Sequence, residues 1–494
     1  MNQGSNIRSV KNMSGVSIQQ GTGLYINGEW LSTNETMKVA NKFTQEVIGE
    51  VAVAEQKDVD AGIVAANEAM ANRPLPAHER FEILKKTAEL ILKHADELAQ
   101  LIAKEGGKPL KDAMLEVNRS AQVVTTSAEE AKRIHGETVA LDAVPGSENR
   151  MGLYIRVPVG VIAAITPFNF PMNLVVHKVA PAIAAGCAVV LKPASTTPLS
   201  AVYLCNLLQE AGLPKGYINL VIGSGRTVGD YLVAHPGKKM ITFTGSPNVG
   251  LRIKQNSGFN RVTLELGNNS GNIVHSDANL DLAADLLSKK AFGSAGQFCV
   301  SVQRIYVHEK VIDVFTEKMV EATNKLVVGD PLDSNTDVGP LITLSEAQRV
   351  EEWIKEAVSE GAEVLTGGSR DGVVVQPTLL RNVKSDMKVV CQEVFGPVAS
   401  IIPYSTFDEA IDAVNDSEYG LQAGVFTNNV NLAWKAARKL QTGGVNINDT
   451  SSYRADHMPY GGIDKSGAGR EGPRFAVEEM SEIRMVVFNV QEEE

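Results

Sequence analysis

Residues 157–195 read VPVGVIAAITPFNFPMNLVVHKVAPAIAAGCAVVLKPAS. The run VGVIAAIT is short, apolar and bounded by turn residues, the pattern of a strand buried on both faces. PFNFP turns the chain, LVVHKVAPAIAAG reads as a buried helix, and CAVVLKPAS returns to a strand. Further on the alternation continues through the helix LSAVYLCNLLQEAG, the strand INLVIG, the helix RTVGDYLVAH, the strand MITFTGS and the helix PNVGLRIKQNS. Strands separated by helices of about ten residues define βαβ units and a buried parallel sheet. A ligand of such a sheet belongs just beyond the carboxyl ends of its strands.

On the N-terminal side, LYINGEWL (24–31) reads as a hairpin around Asn27-Gly28, and VIGEVAVA (47–54) as a strand. Val59–Ala71, Ala77–Ile102 and Met114–Ile134 read as helices. The middle one spaces Phe81, Leu84, Ala88, Ile91, Ala95, Leu98 and Ile102 along one face. Thr138–Arg156 breaks the rhythm at Pro145-Gly146 and reads as an excursion from the first domain. A second alternating set, from 270 to about 445, has its own apolar periodicity and so its own core. It includes QRIYVH, ASIIPY and AGVFT as strands. The strand-like tail MVVFNV (485–490) has the character of an edge able to add to another subunit's sheet.

At 494 residues the chain is too long for one ordinary core, so two or three domains are expected. Four dispersed cysteines, without a CxxC pair or histidines at zinc spacing, argue for a reducing compartment and against a structural metal. A net charge of −11 with no basic run argues against nucleic-acid binding. No apolar run approaches the roughly 20 residues needed to span a membrane. The lead-in MNQGSNIRSVKNMSGVSIQQGTG lacks the apolar core of a secretion signal. The expected location is the cytoplasm.

Chemistry concentrates between TLELGNN and GQFCV. Glu265 sits in an apolar run, which disfavours its charged form and moves its pKa toward the range of a general base. Cys299 follows the small-residue segment Gly293–Gly296 and is the candidate nucleophile, a thiolate being reactive and readily formed. Taken alone, the pair reads equally as a buried structural cysteine and a strand-end carboxylate. In IGSGRTVGD, Gly223, Gly225 and Gly229 are spaced GxGxxxG, so the usual dinucleotide fingerprint is absent. Ser246 and Pro247 open a helix whose free N–H groups favour a phosphate, although either turn by itself reads more readily as an ordinary βα loop. Lys192 ends a strand, where it suits ribose or phosphate contact, or plain solvation. Asn169 is placed to donate to an oxyanion, or to make an Asx turn. There is no GxSxG.

Together these motifs resemble the aldehyde dehydrogenase superfamily over about Tyr25 to Val487. The likeness rests on TPFNFP, LKPAS, FTGS, LELGNN, GQFC, EVFGP and PYGGIDKSGAGREG. It implies an aldehyde dehydrogenase-like α/β fold of two parallel-sheet domains, an atypical Rossmann cofactor domain (1–137 and 157–267) and a catalytic domain (268–465). A small β oligomerisation arm (138–156 and 480–494) completes it. It implies Cys299 as nucleophile, Asn169 with the Cys299 backbone N–H as oxyanion hole, Glu265 as the base for deacylation and Lys178 as a relay lysine. Thr166, Pro167, Lys192, Ser195, Gly225, Gly229, Ser246, Leu266, Glu393 and Phe395 fall at cofactor-contact positions. Within the superfamily, FNFPMNLVVHKVAPA and YRADHMPYGG are most similar to the cluster of lactaldehyde, sulfolactaldehyde, phosphonoacetaldehyde and non-phosphorylating glyceraldehyde-3-phosphate dehydrogenases. Arg119 and Arg454 match two anion-recognising arginines of the last of these. Phe298 stands at the third such position and Phe170 at a tyrosine position. Arg119 reads equally as a helix-face salt-bridge residue.

The resemblance implies NADP- or NAD-dependent, hydrolytic oxidation of a small aldehyde, anionic or hydroxylated, without a metal, in a homodimer or homotetramer. Ser195 stands where NAD-preferring relatives commonly have glutamate, so acceptance of NADP is expected. Two alternatives stay open: acyl transfer to coenzyme A, disfavoured by Glu265, and a non-catalytic relative.

Overall fold

The computed structural model describes residues 23–490. The polar lead-in therefore lies, but for Gly23, outside the described residues. The hairpin forms as read, Leu24–Ile26 pairing with Glu29–Leu31 about Asn27 (φ 50°) and Gly28 (φ 79°). Both turn residues need positive φ, which is why Asn-Gly occupies the turn.

The hairpin edges an eight-stranded sheet whose centre is parallel, in the order Ile218–Leu220, Val189–Lys192, Ile162–Ile165, Met240–Thr244, Arg261–Glu265. The chain winds one way from Ile162–Ile165 and the other way from Met240–Thr244. Between these two neighbours lies the topological switch point, where a crevice opens at the carboxyl ends of the strands. The helix Asn173–Ala185 is buried along its whole length, matching its nearly unbroken apolar sequence.

A second sheet of seven strands holds Val302–His308, Ser270–Val274 and Gln422–Phe426 in parallel at its centre. It has a core of its own. The two sheets are joined by the peptide between Glu265 and Ser270. The chain returns to the first sheet when Gly467–Ala468 pairs with Leu264 and Glu265. The junction is thus made by LELGNN and the glycine-rich stretch after Tyr460.

One expectation is corrected. The helix expected over Ala77–Ile102 is two helices, Ala77–Lys93 and Ala95–Gly106, broken at His94 (φ −107°, ψ 25°). The break lets Leu84 and Ile91 on one side and Leu98 and Ile102 on the other all be fully buried. At roughly 1.5–3 kcal/mol per buried aliphatic side chain, that outweighs one irregular turn. The tail Ser481–Asn489 pairs along its length with Arg150–Pro158 of its own chain, which Glu137–Val139 extends to three strands. One edge of the tail is therefore satisfied within the chain. Among the described residues no helix is long and apolar enough to cross a membrane.

Candidate active site

The crevice at the switch point opens into a cavity of about 710 Å³ between the two sheets. Cys299 lies on its wall, partly exposed, and the approach to it is shaped by unusual backbone. Ser294 (φ 48°), Ala295 (φ 54°) and Gly296 (φ 69°) are successively left-handed. A Cβ on Gly296 would stand 2.1 Å from the Gly396 carbonyl oxygen, so the GQFC and EVFGP loops meet backbone to backbone. Gln297 pins the turn: its Oε1 accepts from Ile342 N at 2.9 Å and its Nε2 donates to the carbonyls of Ser294 and Pro340. Gly296, in the turn before Cys299, is a geometric requirement.

Asn169, in the loop after Ile162–Ile165, donates from Nδ2 to the Gln297 carbonyl at 3.0 Å. That leaves the amide's second N–H for another acceptor. The Cys299 Sγ is 3.0 Å from the Tyr460 hydroxyl. Burial pushes the thiol up to about 12, the Tyr460 contact and Arg454 working against it and the charges of Glu265 and Glu393 with it. Against the expectation of an easily formed thiolate, burial favours the thiol form of Cys299.

Glu265 is buried, and neither carboxylate oxygen has a hydrogen-bond partner among the described residues. Burial, then the neighbouring Glu471 charge, raise it well above the ordinary carboxylate range. The side chain lies off the cavity surface, its Oε1 only 2.9 Å from where a Cβ on Gly461 would be. Lys178 is also behind the surface, donating to Glu471 at 2.8 Å and Thr242 at 3.2 Å. Burial opposes ionisation of Glu471, but Lys178 and Arg454 hold it at about 2. The charge therefore resides on Glu471 and the proton on Glu265.

Arg119 and Arg454 both reach the cavity wall, and both are held from behind. Arg119 makes a bidentate pair with Asp456, both bonds 2.8 Å, and Asp456 also accepts from His177 at 2.9 Å. Against the cost of burial, His177 and Arg119 keep Asp456 well below the usual carboxylate range. Arg454 pairs with Glu471 at 3.3 Å and lies over the Tyr460 ring at 3.6 Å. Phe170 and Phe298 complete the wall, and Lys108, paired with the buried Glu116, stands 3.5 Å over the Phe170 ring. Arg119 thus lies on the cavity wall and in a salt bridge at once.

The same cavity brings Pro167, Ser246, Leu266, Glu393 and Phe395 together. Burial raises Glu393 to about 7 against a 2.9 Å hydrogen bond from Asn268 N and the Arg349 charge. Thr166, Lys192, Ser195, Gly225 and Gly229 do not line it. They gather along the adjoining strand ends. Gly225–Gly229 form a single wide turn capped by Ser224, and the Lys192 side chain passes under Gly229. Lys192 is buried, lowered by that burial to about 8, and donates only to the Pro193 carbonyl at 3.0 Å. A buried cation without a carboxylate partner among the described residues implies an anionic or hydroxylated ligand. The Thr166 and Thr244 hydroxyls, at ends of adjacent strands, are buried without a partner as well. Open space over Gly225 completes a surface that fits a dinucleotide. The Ser195 hydroxyl donates to the Gly223 carbonyl at 2.8 Å and so is not a free donor.

Sequence reading missed Asp456, His177, Glu471, Tyr460 and Lys108 as parts of the site. Asp456, Tyr460 and Glu471 lay inside motifs already noticed, but their partners are far away in sequence.

A thiol and an amide over one cavity, beside a dinucleotide-shaped crevice, fit an oxidoreductase of nicotinamide-dependent type. Residues 30–486 match the model of the aldehyde dehydrogenase family, and the chain belongs to that family. It is an NAD(P)-dependent enzyme of aldehyde oxidation. It is 54% identical over 468 residues to the 3-sulfolactaldehyde dehydrogenase of Priestia megaterium, covering 95% of this chain and 98% of that one. It is 41% identical over 473 residues to a lactaldehyde dehydrogenase of Methanococcus maripaludis, covering 94% and 100%. The crystal structure of glyceraldehyde-3-phosphate dehydrogenase GapN from Methanocaldococcus jannaschii, complexed with NADP, superposes with a TM-score of 0.89. That protein is 40% identical, with 92% of this chain and 100% of that one covered.

Proposed function

We propose that the protein oxidises a small anionic aldehyde of the sulfolactaldehyde type to its acid, by hydrolysis of a Cys299 thioester, with NADP accepted. The observation that supports this most is the pairing of Cys299 with Arg119 and Arg454 on the wall of one cavity. A substrate anion held by the arginines leaves its carbonyl to the thiol.

Cys299, once deprotonated, adds to the aldehyde carbon, and the free N–H of Asn169 with the Cys299 backbone N–H takes the oxyanion. Bound NAD(P) supplies the hydride acceptor. Lys192, Thr166, Pro167, Ser246 and Leu266 hold its adenosine and phosphate end, with Ser195, Gly225 and Gly229 leaving room, and Glu393 and Phe395 hold its nicotinamide ribose end. Glu265 turns from its buried position toward Cys299, loses its proton and activates the water that cleaves the thioester. Lys178 fixes the Glu471 charge that sets the proton affinity of Glu265. The open edge of Ser481–Asn489, with Ile483, Met485, Val487 and Phe488 exposed, suits assembly into a homodimer or homotetramer in the cytoplasm.

The test is kcat/KM, from formation of reduced cofactor without coenzyme A, for 3-sulfolactaldehyde, lactaldehyde and a neutral aldehyde of equal size. The expected order is anionic first, with free acid as product and Cys299→Ala inactive. Equal efficiency for all three would overturn the anion reading. Turnover by Cys299→Ala would overturn the covalent one.

A further inference from the structure

We propose that Tyr460 is a catalytic residue in its own right, its hydroxyl donating a hydrogen bond to the Cys299 thiolate and so setting how much nucleophile is present. The inference rests on Cys299 being the nucleophile and adds a donor to it that no backbone group provides.

The geometry has three parts. The Tyr460 hydroxyl lies 3.0 Å from the Cys299 sulfur, within reach of a hydrogen bond to sulfur. Tyr460 is 3% exposed and packs with Val300 and Leu421, against Phe298 and Cys299, so it is held on the nucleophile. The Arg454 guanidinium lies 3.6 Å over its ring. A cation on the ring face draws electron density from the phenol and strengthens its O–H as a donor.

While Cys299 is a thiol, either group can donate. Once the S–H proton has left to solvent in the cavity, the sulfur is an acceptor only, and the contact survives only if Tyr460 keeps its proton and donates. It does keep it: burial, then the Cys299 charge, hold the Tyr460 phenol well above its ordinary value. No proton passes from tyrosine to sulfur. A charge-assisted hydrogen bond of this kind is stronger than the neutral one it replaces, so ionisation of Cys299 is favoured. Arg454 thereby has two faces, its charge toward the cavity and its guanidinium plane on the ring behind the nucleophile.

Tyr460→Phe removes only the hydroxyl. The experiment is the rate of alkylation of the Cys299 peptide, resolved by mass from that of the exposed Cys391, between pH 7 and pH 10. Iodoacetamide and the bulkier N-ethylmaleimide are used in parallel. The expected result is a rate about tenfold lower at each pH with both reagents, the offset of one lost charge-assisted bond. Melting temperature and NADP affinity should stay as in the wild type. Conversely, 3-fluorotyrosine placed at position 460, a stronger donor in the same shape, should raise the rate above wild type. Rates within twofold of wild type, or a loss confined to the bulkier reagent, would overturn the proposal. So would a slower rate with the fluorinated residue. Alkylation reads the thiolate itself, so Cys299→Ala retaining turnover would overturn the proposed reaction and leave this result standing.

Discussion

Glu265 and Glu471 are two buried carboxylates in one electrostatic field, and their partners are unequally shared. Glu471 has Lys178 and Arg454, while Glu265 has no hydrogen bond at all among the described residues. A buried carboxylate without donors beside an ionised one keeps its proton. As a base it works only after losing that proton, so hydrolysis of the thioester should quicken as pH rises through the raised pKa of Glu265. Glu265→Gln should leave the first turnover largely intact and slow deacylation by about a hundredfold or more. Rapid mixing should then show a burst of reduced cofactor equal to the number of active sites. A uniformly slow enzyme without a burst would place Glu265 elsewhere in the reaction. Cofactor choice is set at the same scale. With its hydrogen donated to Gly223, Ser195 contributes to NADP acceptance chiefly by not being a carboxylate. Lys192 lies under Gly229 at that end, and Arg226 is exposed in the same turn. Ser195→Glu should shift the ratio of kcat/KM values toward NAD by about tenfold, the equivalent of ~1.4 kcal/mol. An unchanged ratio would mean that loop shape outweighs charge. That Cys299 and Asn169 meet at one cavity, with Glu265 behind it, was legible because each sits in a local motif. The Asp456 clamp on Arg119 was not, since nothing near either residue signals the other.

Helix Ala95–Gly106 ends on Glu105, which is fully buried and accepts from the backbone N–H groups of Leu199 and Ser200, both at 2.8 Å, and from the Ser200 hydroxyl. It thereby caps the helix Leu199–Glu210, which has no side-chain cap of its own. Burial raises Glu105 from 4.5 to about 7, against the Ser200 and Leu199 donors and Lys42. The native chain therefore holds this proton more tightly than the unfolded chain. The associated stability is fully present below about pH 4.5 and is lost as pH rises through about 7, on the order of 3 kcal/mol in all. Denaturant midpoints of wild type should fall between pH 5 and pH 8 more steeply than those of Glu105→Gln. Parallel curves would show Glu105 to be ionised throughout. Sequence conveyed the elements of this region well, because strands buried on both faces must be uninterrupted apolar runs. It did not convey the break at His94, where no glycine or proline marks the turn and burial of Leu98 and Ile102 decides it. Nor did it convey this clamp, since a glutamate late in an amphipathic helix reads as a solvated one.

The whole molecule carries a net charge of −11, which disfavours the approach of an anion except where the local field reverses. The cavity is such a place. Behind its wall Lys178, Arg119 and Arg454 face Asp456 and Glu471, so three cations meet two anions. Burial keeps His177 neutral, the Arg454 charge acting in the same direction. One positive charge is left over for a substrate anion. Lys108 and Lys111 are neutralised by Glu116 and Asp337. At the rim Lys290 is exposed and makes no ion pair among the described residues, though its charge reaches the buried Asp112, so it stands as an outer positive charge along the way in. On the proposed function the inner charge, being desolvated, would set affinity, and the outer one, in water, would set encounter. The two are therefore separable by salt. Raising ionic strength from about 0.01 to 0.3 M should lower kcat/KM for an anionic aldehyde several-fold and leave a neutral one unchanged. Lys290→Gln should flatten that dependence at the low-salt end and converge with wild type at high salt, with the preference for the anionic substrate kept. A salt-independent wild type would mean that anions reach Cys299 without steering. A variant that loses the preference altogether would move recognition from the arginines to the rim.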